Sequence, residues 1–111
     1  MIYSNKIEAR EKKKISKLRS SAMDSAKRVA DYLKKNYGVS RVVLFGSLVR
    51  KRYLHERTDI DLLVEGMQKN DFLHAGFDAS VIAKPFEVDI IPAEIADKDI
   101  VKIANEEGIN L

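Results

Sequence analysis

Three short apolar runs constrain the fold of this chain more than any other feature. They occupy residues 41–45, 59–64 and 86–91, and they are rich in valine, isoleucine, leucine and phenylalanine. Runs of roughly four to eight such residues, bounded by glycine, proline or polar residues, are typical of buried β-strands. Long segments before and between the runs repeat apolar residues roughly every three or four positions, which indicates helices. The sequence therefore predicts an α+β domain.

The longest predicted helix precedes the first strand. Across residues 18–37 the apolar side chains recur at steps of three and four, and Gly38 follows as a C-terminal cap. The preceding residues, 1–17, are mostly charged, so they either extend this helix into solvent or fray. We therefore expect a basic N-terminal helical extension over residues 1–17 and a folded domain over residues 18–111.

Two further helices complete the predicted order of elements. Residues 69–84 place small and apolar side chains on one side, and Pro85 stops that helix. Pro92 is expected to open the last helix, whose buried stripe includes Ile95 and Ile100. The predicted order is α-β-β-α-β-α, with a single helical turn possible after the first strand.

Composition excludes several classes of protein. The 111 residues include no cysteine, so disulfide scaffolds, thiolate metal sites and cysteine nucleophiles are excluded. No apolar run approaches the roughly 20 residues needed to cross a bilayer, and the polar start lacks the apolar core of a signal peptide. We expect a cytoplasmic protein without a membrane partner.

Positive charge is concentrated near the N-terminus. Residues 1–37 carry eleven Lys and Arg against four Asp and Glu, whereas residues 38–111 carry nine against thirteen. Such an arm suits RNA, an acidic partner or a triphosphate, although a solvated helix face is the commoner role for these residues. Because no aromatic residues cluster for base stacking, a nucleic-acid partner is not expected.

Two aspartates at the start of the second strand indicate a cation-binding site. Asp59 and Asp61 leave the same face of a strand about 6.6 Å apart, where like charges in a poorly solvated site need a cation to neutralise them. Asp89 lies within the third strand and joins the pair if the two strands are neighbours. Three carboxylates without histidine or cysteine suit Mg²⁺ or Mn²⁺, and two such ions could clamp a phosphoryl group during its transfer.

A second motif follows the first strand. Gly46 permits close backbone approach, and Ser47 adds a hydroxyl and an exposed N–H, which together can hold phosphate. Arg50 is expected at the same end, where its guanidinium can neutralise triphosphate charge. Each motif alone is more often structural, but their combination in this order favours a nucleotide site.

These motifs also resemble a known family. The quoted stretches are Leu-Phe-Gly-Ser-Leu-Val-Arg at residues 44–50, Thr-Asp-Ile-Asp-Leu-Leu-Val-Glu at residues 58–65, and Val-Asp-Ile-Ile at residues 88–91. With them, the chain from about Val29 to the C-terminus resembles the minimal nucleotidyltransferase (MNT) family of the DNA polymerase beta superfamily. The loop before Asp59 is longer and more basic than the family's usual pattern, which leaves nucleotide selectivity open.

The resemblance implies a small mixed sheet flanked by helices and a specific activity. Asp59, Asp61 and Asp89 would be the Mg²⁺ ligands, with Asp89 assisting the attacking hydroxyl, and Gly46 and Ser47 would hold the triphosphate of ATP. Many such domains are antitoxins that transfer AMP to a tyrosine of a HEPN-type ribonuclease toxin, so such a toxin is the expected partner.

Two other functions stay open at the level of sequence. The domain could block its toxin by contact alone, as a non-catalytic antitoxin, or its basic arm could bind nucleic acid. A domain this small also lacks the helical domain with which larger nucleotidyltransferases enclose their substrates. Either the partner protein or a second copy of the chain, in a homodimer, would then enclose the substrates from the open side.

Overall fold

The computed structural model describes residues 5–50 and 59–111, and the side chains from residue 10 onward within those ranges. The elements, in chain order, are helix α1 (Asn5–Tyr37), strand β1 (Arg41–Phe45), helix α2 (Ser47–Arg50), strand β2 (Asp59–Glu65), helix α3 (Phe72–Ala83, after a 3-10 turn at Lys69–Asp71), strand β3 (Glu87–Pro92), helix α4 (Lys98–Glu107) and strand β4 (Ile109–Asn110). None of the helices in these two ranges is long and apolar enough to cross a membrane.

The four strands form one mixed sheet in the order β3-β2-β1-β4. Strand β1 is antiparallel to both of its neighbours, β2 and β4, whereas β2 and β3 are parallel. The parallel pair needs a crossover connection, and α3 provides it. The expected α+β fold with a small mixed sheet flanked by helices is therefore confirmed.

Helices cover the two faces of the sheet, and side-chain alternation decides which strand residues meet each layer. Ile60, Leu62 and Val64 of β2 pack in the cluster formed with α1 and α3. Leu63 points the opposite way, into the cluster formed with Ala104 of α4. Because alternate side chains of a strand leave opposite faces, Asp59 and Asp61 lie on the α4 face of the sheet.

Helix α1 confirms the predicted periodicity and continues beyond it. The expected stripe is fully buried at Ala22, Ala26, Val29 and Leu33, and the small alanines let the helix approach the sheet closely. Gly38 then ends the helix with a φ of 65°. The helix runs without a break from Asn5, so the basic segment extends α1.

Two tyrosines tie α1 to α3. The hydroxyls of Tyr32 and Tyr37 both donate to Oδ2 of Asp78, at 2.8 and 2.7 Å. The hydrogen bond to Asp78 raises the pKa of Tyr37 to about 12, and it also raises the pKa of Tyr32. The same two bonds lower the pKa of Asp78.

The last helix begins later than the sequence predicts. Pro92 ends β3 rather than opening a helix, and Ile95 is 78% exposed rather than buried. Helix α4 begins at Lys98, where the side chain of Asp97 accepts a hydrogen bond from the N–H of Asp99. The aspartate cap satisfies an N–H that no helical carbonyl can reach, so it sets the helix start.

Strand β4 is an addition to the predicted order. Residues 109–110 pair with Val43 and Leu44, and the N–H of Leu111 donates to the carbonyl of Val42 at 2.9 Å. The preceding residue, Gly108, packs so closely that a Cβ there would collide with the carbonyl oxygen of Ala104 and the side chain of Val43. The chain end is therefore part of the sheet.

Candidate active site

The predicted carboxylates come together at one end of the sheet. In the parallel pair of β2 and β3, Asp61 lies directly beside Asp89, and Asp59 lies beside Glu87. Adjacent strands are about 4.8 Å apart, so these side chains form two rows on the α4 face. The sequence predicted three of them, and the register adds Glu87 as a fourth.

Glu87 was missed by the sequence reasoning, although a signal for it existed. It is two residues before Asp89, so strand alternation places both side chains on one face. Without the register of β2 against β3, nothing in the sequence shows that Glu87 faces Asp59. The side chains of Glu87 and Asp59 are both exposed.

Asp61 has the most perturbed environment of the group. Its half-buried carboxyl has a raised pKa, first because burial removes solvent from the charge and then because Asp89 and Asp59 are close. Asp59 and Asp89 are exposed and lose little hydration. The site therefore concentrates negative charge around one poorly solvated carboxylate. A bound cation would offset the repulsion among these charges.

The donor set suits a hard cation, but the side chains do not yet converge on one. Among the side chains of residues 10–50 and 59–111, no three His, Cys, Asp or Glu are arranged to hold a metal ion. Like charges repel one another, and rotamer changes at the exposed Asp59 and Asp89 would cost little. The residues thus fit Mg²⁺ by chemistry and by shared face rather than by a preformed cage.

Gly46 brings the β1–α2 turn against this carboxylate. Its φ is 84°, and a Cβ built there would lie 2.5 Å from Oδ2 of Asp61. Phe45, the residue before it, is paired with Asp61 across β1 and β2. The left-handed backbone therefore favours glycine, and a Cβ there would force the carboxylate of Asp61 to move. The predicted phosphate motif, Gly46 and Ser47, consequently lies beside Asp61.

Arg50 lies at the end of α2, where it makes an ion pair. Its Nε donates to Oε2 of Glu107 at 2.9 Å, and both side chains remain partly exposed. The pair connects α2 to the C-terminal end of α4, on the face of the sheet that carries the carboxylates. Binding of nucleotide by Arg50 stays a prediction. The basic loop that follows it lies outside the described residues.

Family comparison identifies the domain. The profile described as the nucleotidyltransferase domain matches residues 26–111, which is most of the chain and includes all the candidate site residues. The chain belongs to the nucleotidyltransferase domain family. The resemblance expected from the sequence motifs is confirmed by this match. No curated protein matches the chain.

Solved structures similar to this nucleotidyltransferase domain agree on the fold. A minimal nucleotidyltransferase is 22% identical, with a TM-score of 0.68, and the match covers 84% of this chain and 95% of that one. A toxin–antitoxin complex with AMP-PNP is 18% identical, with a TM-score of 0.64, covering 77% of this chain and 70% of that one. The MntA–HpeT toxin–antitoxin is 16% identical, with a TM-score of 0.63 and the same two coverages.

Proposed function

We propose that this nucleotidyltransferase moves AMP from ATP to a tyrosine hydroxyl of a partner protein, in a Mg²⁺-dependent reaction, and that the partner is a HEPN-type toxin. The observation that carries the proposal is the packing of Gly46 against Asp61, which in turn lies in register with Asp89. This arrangement supports the proposal, because the turn that we expect to bind phosphate lies beside a row of carboxylates.

The residues divide the work between binding and chemistry. Gly46 and Ser47 would hold the triphosphate through backbone N–H groups and the serine hydroxyl, with Arg50 adding positive charge at the same end. Asp59, Asp61 and Asp89 would hold Mg²⁺, which when bound neutralises phosphate charge and polarises the reacting phosphoryl group.

Asp89 is the candidate base that accepts the proton of the acceptor hydroxyl. It is exposed at the site, so an acceptor hydroxyl can approach it. As the hydroxyl oxygen forms a bond to the α-phosphorus, the bond to pyrophosphate breaks, and the hydroxyl proton passes to Asp89. The products are AMP esterified to the acceptor and free pyrophosphate. Positioning and charge neutralisation supply most of the rate in such transfers.

The toxin as acceptor is supported by similarity. Two of the similar structures are toxin–antitoxin complexes, and one of them contains AMP-PNP, an ATP analogue. The HEPN class of toxin and the tyrosine acceptor come from the resemblance to the MNT family. The partner protein, or a second copy of this chain, would complete the wall around the nucleotide.

The test is a mass measurement. The purified protein is mixed with Mg²⁺, ATP and the product of the adjacent gene, and the intact masses of both chains are read. We expect the partner to gain one or more AMP units. Asp61→Asn should abolish the gain, whereas Asp31→Asn, the same change at an exposed site on α1, should not. Transfer that survives in Asp61→Asn would remove Asp61 from the mechanism.

A binding-only antitoxin is the second candidate function. It is supported by the similar toxin–antitoxin structures, because direct contact between two such proteins would by itself block a toxin. The double variant Asp59→Ala, Asp61→Ala separates the two functions. If that variant neutralises its partner as well as the wild type does, contact alone is the mechanism.

A further inference from the structure

Helix α1 extends past the end of the sheet that carries the carboxylates. Near that end, Nε of Arg19 donates to the carbonyl of Leu48 in α2 at 3.4 Å, and Leu18 packs with the core. Residues 10–17 are all exposed, and none of them belongs to the core clusters. From Asn5 to Lys17, twelve steps of about 1.5 Å make roughly 18 Å of helix.

Positive charge follows one face of this projection. Arg10, Lys13 and Lys17 recur at steps of three and four, so they share a face, and all three are exposed. The only acidic residue from position 10 to position 20 is Glu11, which the helical repeat turns away from that face. We refer to Arg10, Lys13 and Lys17 as the basic face.

A groove adjoins the basic face where α1 passes the start of β3. Its volume is about 340 Å³, its floor is apolar and its rim carries two lysines. The lining residues are Lys14, Lys17, Leu18, Ser21, Pro85 and Phe86. Phe86 directly precedes Glu87, so the groove lies next to the edge strand that carries Asp89.

We propose that the basic face and this groove dock an acidic segment of the acceptor protein and so hold the acceptor at the catalytic end of the sheet. The identity of the acceptor rests on the proposed function, but the docking chemistry does not. The apolar floor takes aliphatic side chains of the segment, and Arg10, Lys13 and Lys17 of the basic face pair with its carboxylates.

Charge complementarity and the groove favour an acidic protein over RNA. Residues 10–21 contain no aromatic side chain on which bases could stack, whereas the groove floor is apolar. The four carboxylates of the active site would repel an acidic acceptor. A positive surface displaced from them attracts the acceptor and orients it without competing for Mg²⁺.

The first test measures binding without transfer. In an Asp61→Asn background, fluorescence anisotropy follows three labelled probes: a helical Glu- and Leu-rich peptide, the same peptide with each Glu replaced by Lys, and a single-stranded RNA. The triple variant Arg10→Glu, Lys13→Glu, Lys17→Glu is compared with a control, Lys27→Glu, Lys35→Glu, Lys102→Glu. The control makes the same change in net charge at exposed sites elsewhere. Circular dichroism checks that both variants fold.

We expect the acidic peptide to bind and the lysine peptide not to bind. The triple variant should weaken binding about tenfold or more, since three exposed ion pairs together amount to roughly that change in an equilibrium constant. The control should change it less than about twofold, and added salt should narrow the difference. Equal binding by the triple variant and the wild type would overturn the proposal, as would tighter binding of RNA than of the acidic peptide.

A second measurement separates this inference from the proposed activity. In the transfer assay with the acceptor protein, the triple variant should raise the KM for acceptor and leave kcat and the KM for ATP unchanged. If no AMP is transferred but the peptide result holds, the docking face stands and the proposed activity fails. If transfer occurs with an unchanged acceptor KM in the triple variant, the activity stands and the docking face fails.

Discussion

Gly46 combines a left-handed backbone conformation with close contact to Asp61 of the candidate site. Its φ of 84° is accessible to glycine at little cost, and its position leaves no room for a Cβ beside Oδ2 of Asp61. Gly76, inside α3, is the opposite case, since a Cβ there would meet nothing within 4 Å. The two glycines therefore provide a matched pair for substitution.

We expect Gly46→Ala to destabilise the fold by about 1–3 kcal/mol through backbone strain alone. It should also displace Asp61 and abolish AMP transfer. Gly76→Ala should stabilise the protein by about 0.5–1 kcal/mol, because alanine is the better residue in a helix interior, and should leave transfer intact. Urea denaturation and the mass assay give the two readouts. A fully active Gly46→Ala variant would contradict the assigned contact.

The Tyr37–Asp78 hydrogen bond predicts a pH dependence. The pKa of Tyr37 is raised from its ordinary value near 10 to about 12, so the folded state holds this proton more tightly than the unfolded chain does. The bond's contribution to stability is complete below about pH 10 and is lost as the pH rises towards about 12. Urea midpoints across that window should fall faster for the wild type than for Tyr37→Phe, because the variant has no Tyr37 proton to lose. Both proteins contain the same lysines, so the comparison removes the effect of lysine titration. Parallel curves would exclude the effect.

At the scale of elements, α1 has a buried half and an exposed half. Leu33 is fully buried in the core, whereas Ile15, which continues the same stripe, is 43% exposed. Leu33→Ala should cost about 2–5 kcal/mol, the range for emptying a packed core position. Ile15→Ala should change stability by less than about 0.5 kcal/mol, as exposed substitutions do. Thermal or urea unfolding of the two variants checks the contrast, and equal losses would mean that the extension packs against the domain.

The same scale shows what sequence can and cannot predict. The runs that became β1, β2 and β3 are dense in apolar residues, so local pattern was enough to find them and the carboxylates that they carry. Pro92 misled the prediction because proline suits both a helix start and the end of an edge strand, and only the Asp97 cap decides between them. Strand β4 has two residues, which is too short to show any periodicity. The position of Glu87 beside Asp59 depends on the register of β2 and β3, which only the folded sheet defines.

At the scale of the whole molecule, the negatively charged candidate active site and the positively charged part of α1 are separate. The carboxylates lie on the α4 face at one end of the sheet, and α1 passes the same end on the opposite face. Core packing uses α1 from Leu18 onward, since that is where its side chains begin to contact the main cluster. The two halves of α1 should therefore be separable by truncation.

Removal of residues 1–17 tests that separation. The remaining chain keeps all the side chains of α1 that the structure shows as buried. We therefore expect the free energy of unfolding to change by less than about 1 kcal/mol, the size typical of losing exposed contacts. Affinity for ATP should not change, because Gly46 and Ser47 are untouched, whereas the KM for acceptor should rise at least as much as in the triple variant. Calorimetry gives the stability and the ATP affinity, and the transfer assay gives the KM. A truncated chain that fails to fold would show that the extension is part of the core, and one that folds but loses ATP would show that α1 reaches the nucleotide.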